Sequence, residues 1–138
     1  MRIRKIFKGM FLLMIFAVII SGFVDAQVLP SDIEKAFQNG DAELLANYFN
    51  QDVKINILNK ETDTDISGAK DLMKKFFREN PPVSFESKFE SSKANTSFVI
   101  ATLTTKNKKF RINIFFKNEN GTKRIHLLRI ENENETVF

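Results

Sequence analysis

The stretch FRINIFFKNENGTKRIHLLRI, Phe110 to Ile130, decides the fold. Phe110, Ile112, Ile114 and Phe116 alternate with Arg111, Asn113 and Lys117, the period-two pattern of a strand with one buried face. Asn118 to Gly121 then turns the chain, and Asn120-Gly121 is a strong hairpin dipeptide because both residues accept positive φ. Thr122 to Ile130 returns as the last strand. Working backward, Ser97 to Thr104 is a strand with Phe98, Val99, Ile100, Ala101 and Leu103, and Lys106 to Lys109 is the turn after it. Before that, Val83, Phe85 and Phe89 are expected on one face of a strand, with Glu86, Lys88 and Glu90 on the other. Four consecutive strands joined by short turns pair antiparallel.

Upstream the period changes to that of helices. Ser31 and Glu34 spell a capping box ahead of Ile33, Ala36 and Phe37. Asn39-Gly40 stops that helix, since glycine accepts the left-handed conformation that a C-terminus often needs. Asp41 caps a second helix carrying Ala42, Leu44, Leu45, Tyr48 and Phe49. Val53, Ile55 and Ile57 predict a strand, and Lys60 to Ile66 a polar loop. Ser67 is the expected cap of a third helix with Ala69, Leu72, Met73, Phe76 and Phe77, which Pro81-Pro82 ends. The order ααβαββββ predicts an α+β domain: a curved, mostly antiparallel sheet wrapped over about three helices.

The first residues carry a different message. Arg2, Arg4, Lys5 and Lys8 precede an apolar run from Met10 to Ile20, and Val24-Asp25-Ala26 offers compact residues at the −3 and −1 positions of a cleavage site. That is a secretory signal peptide over residues 1–26. The run is shorter than the ~20 residues a spanning helix needs, so contact with a membrane is expected only in transit. No cysteine follows to take a lipid. The expected product is one domain over 27–138, periplasmic or extracellular, with its tail frayed from about residue 131. The leader's cations account for most of the formal charge of +4, so the basic pI is no sign of a nucleic-acid partner. The lysines at 106–109 and at 117–124 sit at opposite ends of a strand and form no single basic stripe. With no cysteine in the chain, no disulfide framework exists and the core alone must hold the domain. Eleven of the 15 phenylalanines follow Ala26 and supply it.

Three places together carry a family resemblance: Ala36-Phe37-Gln38-Asn39-Gly40-Asp41; Ser67-Gly68-Ala69-Lys70 leading to Phe76-Phe77; and Ile125 to Ile130 ending in Arg129-Ile130-Glu131. In that order, behind an export signal, they resemble a family of exported bacterial proteins catalogued as a domain of unknown function. The element order is similar to the cone-shaped nuclear-transport-factor-2-like fold, also called cystatin-like. The resemblance implies fold and export and carries no activity. The wider superfamily holds isomerases and dehydratases beside many binding modules, and fold does not choose between them.

Chemistry is sparse. One histidine and no cysteine leave no zinc set and no nucleophilic triad, and no glycine-rich phosphate loop is present. Asp63-Thr64-Asp65 imitates the opening of a calcium loop, but Lys74 stands where the bidentate glutamate belongs. Ser67-Gly68-Ala69-Lys70 spells Ser-x-x-Lys without its companion motifs. No cofactor or metal is expected. An enzyme on this fold needs a base and a donor converging in the cone. The candidates are His126, placed by strict alternation on the face of Leu128 and Ile130, and Tyr48 on the second helix. Arg111 and Arg129, on adjacent strands, are candidates for an acidic ligand, with His126 beside them. The bland alternatives are an edge histidine, a core tyrosine and solvated cations. The last strand is apolar on both faces, and Phe115 adds to the otherwise polar face of its neighbour, which suits a homodimer through the sheet. The expectation is a non-enzymatic module binding a small apolar ligand or a protein partner. The alternative is a cavity enzyme of isomerase or dehydratase type.

Overall fold

The structure, a computed structural model, describes residues 28–133. The leader, its boundary after Ala26 and the tail beyond 133 lie outside them. Among the described residues, no helix is long and apolar enough to cross a membrane. Three helices, α1 (Ser31–Asn39), α2 (Ala42–Ala46) and α3 (Ile66–Glu79), accompany six strands: β1 (Phe49–Ile57), β2 (Lys60–Thr64), β3 (Pro82–Lys93), β4 (Thr96–Thr105), β5 (Lys109–Glu119) and β6 (Thr122–Asn132). The sheet order is β2-β1-β6-β5-β4-β3, and only β1 and β6 run parallel. The architecture is the expected α+β cone. The β5–β6 hairpin turns through Asn120 (φ 53°) and Gly121 (φ 78°).

Several local expectations fail for identifiable reasons. Lys60–Thr64 is a strand and not a loop. Leu58 (φ 51°) and Asn59 (φ 70°) make a two-residue turn of the primed kind, which matches strand twist and folds β2 back on β1. Its polar residues pair because the backbone at the sheet edge finds its hydrogen bonds there, with no core to fill. Ser31 makes no side-chain cap, and Pro30 holds the N-cap position of α1. Asp65, and not Ser67, caps α3 by accepting from the Gly68 N–H at 2.8 Å. Asp41 caps α2 as expected, accepting from Leu44 N–H at 3.0 Å. α2 ends at Ala46, so Tyr48 lies in the turn after it and Phe49 opens β1. Glu131 and Asn132 are not frayed, since they pair with Arg111 and Phe110 in the sheet.

Two bulges change which side chains face inward. In β3 the register slips between Ser87 and Phe89. Phe85 is therefore buried, while Phe89 turns to the opposite face and is 54% exposed. Val83 follows an earlier slip and is also exposed. In β6 the register slips at His126, so Ile125, Leu128 and Ile130 are all buried against the helices and His126 is not. A bulge adds one residue and inverts the alternation beyond it.

The core between helices and sheet is phenylalanine-rich. Phe37 stacks on Phe85 with ring centroids 4.8 Å apart and meets Phe77 edge-on at 5.8 Å. Phe76 meets Phe110 edge-on at 5.2 Å. Offset-stacked and edge-on pairs satisfy the ring quadrupoles, so the rings hold one arrangement. Gly40 (φ 64°) lets α1 end in a left-handed residue, and the Asp41 N–H closes on Ala36 O at 2.8 Å.

Candidate functional site

A ligand cavity inside the cone would leave its walls accessible to a water-sized sphere. Instead Phe37, Phe49, Phe110 and Phe116, with Ile112, Ile114 and Ile125 around them, are all at 0% exposure. The space that a cone enzyme would use is occupied by the chain's own rings.

Tyr48 and His126 are neighbours through the backbone, because Ile125 N–H donates to Tyr48 O at 2.7 Å. Their side chains part company. The Tyr48 hydroxyl donates to Asp32 Oδ2 on α1 at 3.1 Å, on the helix side of the sheet. Burial, the hydrogen bond to Asp32 and that carboxylate's charge together raise its pKa above the usual 10.0. It stays a neutral strut between α1 and the start of β1. His126, turned by its bulge, lies on the outer face beside Lys117 and Glu119 of β5. The base and donor of the cavity-enzyme reading therefore do not converge.

His126 sits where two strands draw apart. On one side of β6, Ile125 pairs with Phe116 and Leu127 with Phe115. On the other side, Ile125 pairs with Phe49 and Leu127 with Lys54, so Asn50–Val53 all fall opposite this one step. The gap is an open cleft of about 560 Å³ whose walls include Asp52, Lys54, Asp63, Lys117 and His126. The imidazole is 17% exposed, with Nε2 3.6 Å from Glu119 Oε1. That is too long for a hydrogen bond, and Nε2 is buried without a partner. Burial lowers the His126 pKa below 6.5, Lys117 lowers it further, and Glu119 opposes both.

Arg111 and Arg129 do share the outer face. Arg111 pairs with Glu131 across β5 and β6, and Arg129 Nε lies 4.0 Å from Glu131 Oε1. Arg129 meets Glu131 only at that distance and its Nε has no hydrogen-bond partner, Arg111 has no ion pair among the described residues, and both lie away from the cleft in the sheet register. Thr102 next to them donates to Glu133 Oε1 at 2.9 Å. Beside this charged row runs an apolar one. Leu127, Phe115 and Phe98 are direct partners across β6, β5 and β4, all half-buried, and the next residue pair is Ile100 with Phe89. Strict alternation puts Phe89 on the face of Phe85, so it gives no sign of its part in this row. Asp52, Lys54, Asp63 and Lys117 were also missed as cleft residues. Only the break in alternation from Ile125 to Leu128 could have signalled the gap.

The family model described as Domain of unknown function (DUF4783) matches residues 30–131, from the turn into α1 to the last-but-one residue of β6. A DUF4783 family protein from Bacteroides ovatus is 32% identical, with a TM-score of 0.75 over 80% of this chain and 100% of that one. Another from Bacteroides uniformis is 32% identical, with a TM-score of 0.74 over 78% of this chain and 99% of that one. An NTF2-like protein of unknown function from Shewanella baltica, 13% identical, has a TM-score of 0.58 over 76% of this chain and 88% of that one, which shows likeness of fold alone. No curated protein matches. With the match spanning every element of the described domain, this chain belongs to the DUF4783 family, and its fold is the nuclear-transport-factor-2-like cone.

Proposed function

We propose that this protein is an exported, non-enzymatic interaction module that binds a protein partner through the outer face of its sheet. The apolar row carries the reading. Leu127, Phe115 and Phe98, with Ile100 and Phe89 beside them, form a contiguous patch on a face that none of the three described helices covers, and Phe89 is 54% exposed. Contiguous apolar surface rimmed by charge is the ordinary mark of an interface. The filled interior takes support from the small-apolar-ligand form of the expectation. Export rests on the leader alone.

A second copy of the chain suits the face in size. Six strands about 4.8 Å apart and strands of about ten residues at 3.3 Å each span roughly 24 by 33 Å. That is about 800 Å² per partner, the area of a standard stable interface, and a two-fold pairing would set each patch against itself. Light scattering on the exported protein tests this, with Phe89→Lys/Phe115→Lys as the comparison. A dimer that the double substitution splits into folded monomers is the expected result. In parallel, a photo-crosslinker at Phe98 in the cell envelope should capture a protein in the wild type and lose it in the double variant. A monomeric wild type with the same crosslinks in both backgrounds refutes the reading.

A further inference from the structure

The cleft at His126 borders the apolar row at Leu127 and rests on separate observations. His126 is the one residue of this step in β6 with no partner on either side, and the separation of β1 from β6 keeps the cleft open. At about 560 Å³ it has the volume of a small-molecule site. Its chemistry is mixed in sign. Among the described residues neither Asp52 nor Lys117 has an ion-pair partner, and Lys54 reaches Glu61 and Asp63 only at 3.8 and 4.0 Å. One carboxylate already stands next to the imidazole: Glu119 Oε1, 3.6 Å from Nε2 and bonded to nothing there, on a side chain that is 59% exposed. Glu119 is not among the walls of the cleft, so it leaves the Lys117 and His126 side open to an incoming carboxylate.

We propose that this cleft binds a small zwitterion, a molecule with a carboxylate and an ammonium group such as a free amino acid or a short peptide. The carboxylate is held by His126 and Lys117. The ammonium group lies toward Asp52 and Asp63. Each half alone leaves one pair of charged wall residues unanswered, so the two halves together define the class.

His126 is the only histidine of the chain, so its imidazole proton resonance reports the site without ambiguity. The charged groups that face the ring are Asp52 and Lys54 from β1, Asp63 from β2, and Lys117 and Glu119 from β5; Arg124 of β6 is occupied by Asn47 O at 2.7 Å. The exported protein is titrated with glycine, triglycine, propionate and propylamine at constant ionic strength. The expected result is a saturable shift with glycine or triglycine, accompanied by a rise in the His126 pKa as the bound carboxylate favours the imidazolium. A response to glycine identifies a free amino acid, and a response to triglycine alone identifies a peptide. Propionate and propylamine should bind roughly tenfold more weakly, as should the zwitterion to Lys117→Gln or Asp52→Asn, each lacking one charge-assisted contact. No saturable shift up to concentrations on the order of 10 mM overturns the proposal. So does a propionate affinity equal to that of the zwitterions, or an affinity untouched by both substitutions. The titrations are repeated on Phe89→Lys/Phe115→Lys, so that a cleft covered by a partner on the apolar row is told apart from one that binds no zwitterion.

Discussion

Replacing Phe37 with alanine tests whether the cone is filled. The ring is fully buried, stacked on Phe85 at 4.8 Å and edge-on to Phe77 at 5.8 Å. Truncation removes roughly 100 Å³, which at about 24 cal/mol per Å³ costs about 2.4 kcal/mol in cavity alone. The lost transfer energy and the two aromatic pairs bring the expected loss to about 4 kcal/mol. A domain of this size holds about 5–15 kcal/mol in total, so the variant stays folded but weak. Urea denaturation followed by circular dichroism should show the midpoint falling by about 2 M at a slope of about 2 kcal/mol/M. The vacated space is apolar, so benzene should stabilise the variant by about 1 kcal/mol at several times its dissociation constant and leave the wild type unchanged. A loss below about 1.5 kcal/mol, or equal stabilisation of the wild type by benzene, would show that the rings do not fill the interior. A ligand inside the cone would then return as the leading idea.

Leu58→Asn should stabilise the domain. Leucine at φ 51° bears a penalty of about 1 kcal/mol that asparagine largely escapes, and Leu58 is already exposed. The melting temperature should rise by about 5 °C, and a fall would refute the account of the β1–β2 turn. His126→Gln should alter the pH dependence of stability. Burial and Lys117 hold the folded-state pKa of His126 below its ordinary 6.5. Its neutral form therefore favours folding above pH 6.5, and that contribution is lost as the pH falls through the folded-state pKa. Denaturation across that window should be less pH-dependent in the variant, and identical slopes would mean that the imidazole senses no burial.

Apart from β2, the order of elements was legible because each rests on a local signal. Asn120-Gly121 fixed one hairpin, Asp41 capped α2 and Gly40 closed α1. What escaped were events without a local signature. β2 consists of Lys60, Glu61, Thr62, Asp63 and Thr64, a set no strand scale favours, and it exists because the turn at Leu58-Asn59 delivers it to an open edge. The bulge at His126 is visible only as burial at Ile125, Leu128 and Ile130, a spacing of three and then two. Strict alternation places His126 inside. One inserted residue moves it to the other face, and with it the candidate site.

That displacement argues about function as well as about position. Inside the cone, polar groups would have to be desolvated and matched to one another, and the chain puts phenylalanine at those places. Its lone histidine, with Lys117 and Asp52, lies on the outer face, where β1 and β6 part. A bulge at Phe89 likewise turns a large apolar ring outward. Both departures from regular pairing thus enrich the same surface, one with charge and one with apolar area. Such departures lose ladder hydrogen bonds. If they served only to curve the sheet, the residues they expose could be threonine or serine. Phenylalanine at 89 is the costlier choice for bare surface, and the proposed partner on this face is what would offset that cost.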